Sequence, residues 1–531
     1  MFRIRYGLFW ALCLIAVLSN ATELQLGNGN EPETLDPHRA EGVSASNIVR
    51  DLFEGLTSVE AGAAVRPAAA KNWEVSSDGL EYLFRLREGL RWSNGEAVQA
   101  EDFVAGLRRS VDPATGSAYA QMLIVIAGAE SVIAERQPIE QLAVAALDAQ
   151  TLHIRLQVPT PHFLGLLSHP STFPIHRPSL QRWGRDFARP GRLVSNGAYT
   201  LESWTPQSSI RLKRNRYYWN DAQTAIDTVV YRPSEDSNTE LKRYRASELD
   251  VTYEIPLQQA PWLRQNYGRD LHVAGYLGTY FYGFNCSRPP FKDNPKLRRA
   301  LALAVDRQVI VDKVMNGLAL PSYSLLPPGL SGYTPQRPVW ADWSREQRLA
   351  EARRLYAEAG YSAQRPLEVE LRYNTHEDHK RIATVVAAMW KQWLGVRTRL
   401  LNEEFKVFIQ NRNLRKITQL FRAVWIADYD DPTAFTDILH SNHGQNDMAY
   451  NNSEYDSLLA QAAAEVDPSR RRGHLAQAEQ LLLRDQPVLP IYTYTSKHLV
   501  KPWVQGWQDN PLDIHYSKDL RIVGRPAEAA R

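Results

Sequence analysis

The stretch RAVWIADYDDPTAF, residues 422–435, sets Asp428, Asp430 and Asp431 directly against an apolar, β-prone run. Val424, Trp425, Ile426 and Ala427 read as a buried strand, and alternation along it points Asp428 into a cavity. A buried carboxylate is costly unless a cation meets it. That cation is either a neighbouring arginine or the ammonium of a ligand. Asp430 and Asp431, just ahead of Pro432, read as solvated turn residues. The run lacks the glycine and the distal glutamate of a calcium loop, so its acids do not form one.

Other clusters offer less chemistry. In NTHEDHK, residues 374–380, His376 and His379 flank Glu377 and Asp378. The spacing departs from H-E-x-x-H and no third ligand is indicated, so the segment reads as a polar helix start or a ligand-contacting loop, not a metal site. There is no phosphate-cradling glycine loop, dinucleotide fingerprint, G-x-S-x-G elbow or cysteine in a nucleophile motif. The sequence indicates no catalytic residue, no metal and no cofactor.

The elements that must position Asp428 alternate in type. EYLFRLREGLRW, residues 81–92, alternates with period two, as a half-buried strand does. Residues 345–360 carry Leu349, Ala352, Leu355 and Ala359 at helical spacing and end at Gly360, suited to a C-cap. Residues 379–395 repeat that pattern and end at Gly395. Asn94-Gly95 and Asn196-Gly197 are tight-turn signals. Interleaved strand and helix predict a mixed α/β fold.

Length and composition bound the rest. A chain of 531 residues exceeds what one core usually supports, so two or more domains are expected. Hydrophobic content of 44%, charged content of 23% and a net charge of +3 suit a folded soluble protein. They give no electrostatic case for nucleic acid or an anionic membrane. With 14 Trp and 24 Tyr, most rings pack in cores, while some suit the wall of a wet pocket.

Arg3 and Arg5 precede an apolar run at residues 8–18, and Ser19, Asn20 and Ala21 supply a small-residue cleavage site. This reads as a secretory signal peptide over residues 1–21, cut after Ala21. The run is short of the ~20 residues a membrane span needs. Cys13 follows Leu12 in a poor lipoprotein site. After cleavage only Cys286 remains, so no intramolecular disulfide forms.

Several segments in one order carry a family resemblance. PETLDPHRAEGVSASNIVRDLFEGL (residues 32–56), YLFRLREGLRWSNGEAVQAEDFV, VSNGAYTL, PPFKDNPKLRRALALAVDR (residues 289–307), EARRLYAEAGY, VWIADYDDPTAF and LVKPWVQGW (residues 499–507) span essentially the whole mature chain. The chain resembles the periplasmic oligopeptide-binding proteins of peptide ABC transporters, solute-binding protein family 5, which include oligopeptide and murein-tripeptide receptors. The resemblance implies a class II two-lobed binding protein with an extra domain, closing on its ligand about a hinge. Lobe I would combine residues 22–53, 179–279 and 495–531, the extra domain would be residues 54–178, and lobe II residues 280–494. It further implies a monomeric periplasmic receptor that hands short peptides to an inner-membrane ABC permease, with no catalysis and no nucleic-acid partner.

The resemblance also places residues. Asp428 matches the carboxylate that receives a peptide's α-ammonium, a contact indifferent to side chains. Backbone pairing of the extended peptide would supply affinity without reading sequence, and hydrated pockets would tolerate varied side chains. Glu41 and Val43 fall in the matching EGV, Tyr119 matches a ligand-lining tyrosine, and Arg422 and Trp425 match the R-x-x-W before the aspartate. His379 and Arg412 match basic residues that meet the ligand's C-terminal carboxylate, and Tyr494 a tyrosine near the cleft. Three departures stand out. Gly278 and Ile426 occupy positions that can carry a family disulfide, Met315 stands where a lysine can serve a ligand carboxylate, and Phe405 replaces a pocket tryptophan. The alternatives are a murein-tripeptide receptor, in which Arg412 or Arg422 meets the extra carboxylate, and, with only scattered His, Asp and Ser in its favour, a secreted hydrolase.

Overall fold

The computed structural model describes residues 22–60 and 64–526, so the signal-peptide reading of residues 1–21 lies outside the described residues. Strands and helices interleave through three main sheets, a mixed α/β fold in agreement with the period-two and period-3.6 patterns. A four-stranded sheet pairs Glu23–Gly27, in parallel, with Thr228–Arg232, followed by Ser209–Arg214 and Tyr199–Thr205. A second four-stranded sheet holds Ala70–Val75, Glu81–Leu86, Thr151–Arg155 and Val144–Ala146, all antiparallel. One continuous hydrophobic core joins these two sheets, from Leu24 and Ile48 through Phe84 and Phe103 to Ile210 and Val229.

The third sheet is six-stranded and carries the site. Its centre is the long strand Leu271–Phe284, antiparallel both to Val488–Leu499 and to Leu420–Ile426. Separate cores cover its two faces, one holding Tyr280, Tyr282, Leu371 and Tyr492, the other Phe281, Phe421, Ala423 and Phe435. Pairing of the two long strands shifts register between Gly275 and Thr279 and again between Tyr280 and Phe281. The strand Val488–Leu499 leads toward the first sheet: Val251 bridges Leu26 on one side and Val500 on the other. A bulge adds local twist to a paired ribbon, and both shifts fall within the long strand at the centre of this sheet.

Helix signals read from sequence match the observed ends. Residues 345–360 form the helix Arg345–Glu358, opened by a Ser344/Gln347 capping box, with Leu349, Ala352 and Leu355 buried. The helix Glu377–Leu394 ends at Gly395, whose φ of 72° is the left-handed C-cap conformation. Asn196-Gly197 departs from its reading as a tight turn. Gly197 is absent from the positive-φ glycines. Glycine is needed because a Cβ there would lie 2.5 Å from the Leu52 carbonyl carbon, and the Gly197 amide donates to Leu52 O at 2.8 Å. Asn196 pairs in both directions with the Glu54 backbone.

Candidate ligand-binding cleft

The strand Leu420–Ile426 explains why the opening acids differ. Successive side chains alternate in direction, and Arg422 follows one side while Phe421, Ala423 and Ala427 enter the core on the other. Asp428, beyond the strand end, shares the parity of Arg422. Tyr282 is paired with Arg422 and Tyr280 with Val424, so these rings flank the guanidinium. Trp425 has the opposite parity: it packs against the Phe421 core and its indole N–H donates to Ala434 O at 2.5 Å.

Asp428 is half-buried and, among the described residues, accepts no hydrogen bond from a protein donor. Burial pushes its carboxyl up to about 6, against the opposing pull of Arg50. Arg50 sits in the last turn of the helix Gly42–Leu52 and keeps a buried Nε without a partner. Tyr119 precedes the short helix Ala120–Val125: its ring lies 4.4 Å from that of His169, its hydroxyl faces the Gly42 amide, and burial followed by the charge of Asp428 pushes it up to about 12. Gly42 has φ 78° at the helix start, where glycine is favoured. Next to it, Glu41 is exposed at the N-cap and Val43 half-buried. Three regions distant in sequence therefore converge on one unpartnered carboxylate.

A second charge waits along the same strand. Arg422 is buried, lies 5.2 Å from the Tyr280 ring centre, faces the Tyr494 hydroxyl, and donates to Asn374 at 3.3 Å. Its Nε has no partner, and among the described residues no carboxylate is within ion-pairing distance of it. His379 stands beside it, 5.6 Å ring to ring from Tyr280, with a buried unpartnered Nδ1. Burial, then Arg422, then His376 push His379 down to about 2, so in the empty site it is a neutral ring that offers an N–H. His376 serves as N-cap of its helix, as the polar-helix-start reading expects. Arg412 is placed differently from Arg422: it pairs with Asp447 at 2.8 Å. Tyr494 stacks edge-on against Tyr492 at 5.1 Å, completing the aromatic surround of Arg422.

The reading of Asp430 and Asp431 as solvated turn residues is corrected. Asp431 is buried and bidentate with Arg471, at 2.8 and 2.9 Å, and also accepts from Thr433. Asp430 is half-buried and accepts the Ser331 amide at 2.8 Å. The partner arginine lies forty positions further on, in the helix Pro468–Asp485, where local pattern cannot see it. Around this pair the bodies touch directly: His162 stacks on Tyr429 at 4.6 Å and 4°, and its Nδ1 is 3.7 Å from Asp431. Arg66 pairs with Asp519 at 2.7 Å, and the Val59 amide donates to the Tyr516 hydroxyl at 3.4 Å. Replacing Arg471 with methionine should cost about 3–5 kcal/mol in a denaturant titration, because a buried carboxylate loses its partner. An unchanged midpoint would mean that water already screens the pair.

Sequence reasoning missed Arg50, His162, Tyr429 and Arg471. Only Arg50 left a signal, a lone cation within the apolar helix segment ASNIVRDLF.

The family model for bacterial extracellular solute-binding proteins, family 5 Middle, matches residues 64–447. Over 510 residues the chain is 39% identical to the periplasmic oligopeptide-binding protein OppA of Escherichia coli, covering 95% of this chain and 93% of that protein. The solved structure of the E. coli murein tripeptide binding protein MppA superposes with a TM-score of 0.88 at 35% identity, over 96% of this chain and 100% of that one. Haemophilus influenzae OppA in complex with RPPGFSPFR superposes at 0.86 and 35% identity, over 95% and 99%.

Proposed function

The chain belongs to the family 5 bacterial extracellular solute-binding proteins, and on that premise we propose that it is a periplasmic receptor for short peptides, held by their termini and backbone. Its relatives are periplasmic binding proteins, and among the described residues no helix is long and apolar enough to cross a membrane. The observation that carries the proposal is a pair of uncompensated charges of opposite sign on one strand. Asp428 receives the α-ammonium, and Arg422, with the neutral His379 donating beside it, receives the α-carboxylate. The two residues are six positions apart, roughly 20 Å along an extended strand. The arginine's own reach shortens that gap, so an extended peptide of about three to five residues bridges both charges.

Tyr119, Val43, Glu41 and Tyr494 line this path, Trp425 braces the strand from the opposite side, and Arg412, already paired with Asp447, acts on the ligand only through its effect on Arg422. Lobe I (residues 22–53, 179–279 and 495–531), the extra domain (residues 54–178) and lobe II (residues 280–494) close as bodies about a hinge. The receptor acts as a monomer, is exported by residues 1–21, and passes its ligand to an inner-membrane ABC permease. It performs no reaction. Turnover of any bound peptide by the purified protein would overturn that statement.

Gentle denaturation of the purified protein and mass spectrometry of the released molecules tests the ligand class. A mixed set of short peptides is expected. One dominant mass containing diaminopimelate would make it a murein-peptide receptor, and an empty protein that also binds no added peptide would overturn the proposal. Affinity should depend on pH with a definite sign. The free carboxyl of Asp428 titrates near 6, and only its ionised form attracts an ammonium. Peptide binding should therefore weaken as pH falls below about 6, by up to about tenfold per unit, and level off above it. Calorimetry at several pH values checks this, with Asp428→Asn removing the dependence. A profile that is flat from pH 5 to 7.5 in the wild type would refute it.

A further inference from the structure

Outside the peptide path, His498, Asp513 and His515 bring one ligand atom each to within 4.8 Å of one another. His498 Nε2 is 2.9 Å and His515 Nε2 3.1 Å from the same oxygen, Asp513 Oδ1. The remaining nitrogen of His498 donates to the Thr252 carbonyl at 2.9 Å. That bond fixes the ring plane, so that Nε2 points at Asp513 and shares with it the proton that a metal ion would displace.

The three residues come from supports that are themselves held. His498 lies in the strand Val488–Leu499 and is buried. Asp513 and His515 lie in a short loop whose amides at Leu512 and Ile514 both donate to Asn510 Oδ1, at 3.2 and 3.1 Å. Asp513 adopts a positive φ of 53°, which turns its carboxylate between the two rings. Trp507 stacks on His515 at 3.6 Å and 16°, fixing that ring plane. Among the further charges, Lys497 acts on His498, Asp509 on His515, and Glu254 on Lys497.

We infer that His498, Asp513 and His515 form a binding site for a divalent transition-metal ion of the zinc class, through two imidazole nitrogens and one carboxylate oxygen, with a fourth position left open. Neighbouring ligand atoms of tetrahedral zinc are about 3.3 Å apart when each bond is close to 2.0–2.1 Å. The 2.9 and 3.1 Å separations need only a small expansion to reach that, and the His498–His515 edge lies within 4.8 Å. Imidazole with carboxylate suits zinc, nickel and copper better than calcium or magnesium. The site shares no residue with the Asp428 to Arg422 path, so it stands or falls independently of peptide binding.

The test titrates zinc chloride into the chelator-stripped full-length protein by calorimetry, with metal content after gel filtration measured by mass spectrometry. One zinc per chain is expected, and a cobalt(II) form with the visible absorption of a low-coordinate site. His515→Ala and Asp513→Asn, which leave the buried His498 in place, should each weaken zinc binding by about tenfold or more, while circular dichroism and peptide binding show that both are folded. Absence of zinc binding in the wild type, or wild-type affinity in either variant, would overturn the assignment and leave the cluster a hydrogen-bonded strut.

Discussion

Asp428→Asn should lower affinity for a free-amino peptide by about 2–4 kcal/mol, the usual cost when one partner of a buried charge pair is removed. Asparagine keeps the size of aspartate and can still accept a hydrogen bond, so the loss reads the charge and not the shape. The empty protein should tolerate the change well. Asp428 takes no hydrogen bond from a described residue, and burial already disfavours its ionised form, so the substitution removes a desolvation cost and no contact. An N-acetylated peptide provides the complementary measurement. It should bind the wild type poorly and show little further loss with the variant, since the ammonium is already gone. Equal affinity of the wild type for acetylated and free peptides would end the assignment of Asp428 to the α-ammonium.

Arg422→Gln should have a comparable effect at the other end of the ligand, again about 2–4 kcal/mol for a peptide with a free carboxylate. The guanidinium is buried among Tyr280, Tyr492 and Tyr494, and among the described residues it has no carboxylate partner. A carboxylate arriving from solvent therefore meets a cation whose desolvation has already been borne by the fold. C-terminal amidation of the peptide should reduce wild-type affinity and nearly erase the difference between wild type and variant. Arg412→Gln is the contrast: its charge is neutralised by Asp447 at 2.8 Å, so its removal should affect stability more than affinity. If Arg422→Gln instead unfolds the empty protein and leaves peptide affinity intact in the folded fraction, Arg422 is a packing cation and the carboxylate binds elsewhere.

The two charges differ in how they could be found. Asp428 stands out because an acid directly follows four apolar residues, a violation visible in fourteen letters. Arg422 has no such mark; its importance lies in which rings surround it, and Tyr280, Tyr492 and Tyr494 arrive from two other strands. Asp431 shows the same limit from the other side. Its position before a proline suggests a solvated turn, yet Arg471 makes it a buried ion pair. His379 carries over by resemblance as a basic group, but burial beside Arg422 leaves it neutral. Trp425, three residues before Asp428, faces the other core because alternation along a strand reverses direction at odd spacing.

What the sequence determined by itself is therefore local or periodic: alternation in Glu81–Leu86, the helix Arg345–Glu358 with its cap, the left-handed glycine after Leu394, and one acid aimed out of a strand. Each depends on neighbours within about four positions, where backbone geometry dictates who meets whom. What only the tertiary structure decided is which charges are answered. Asp431 finds Arg471, Arg412 finds Asp447, Asp428 and Arg422 find no such partner among the described residues, and His498 meets Asp513 and His515 across a loop. The cost of a buried charge is set by whatever stands within a few ångströms of it, and in a chain folded through two lobes and an extra domain those neighbours come from anywhere along its length.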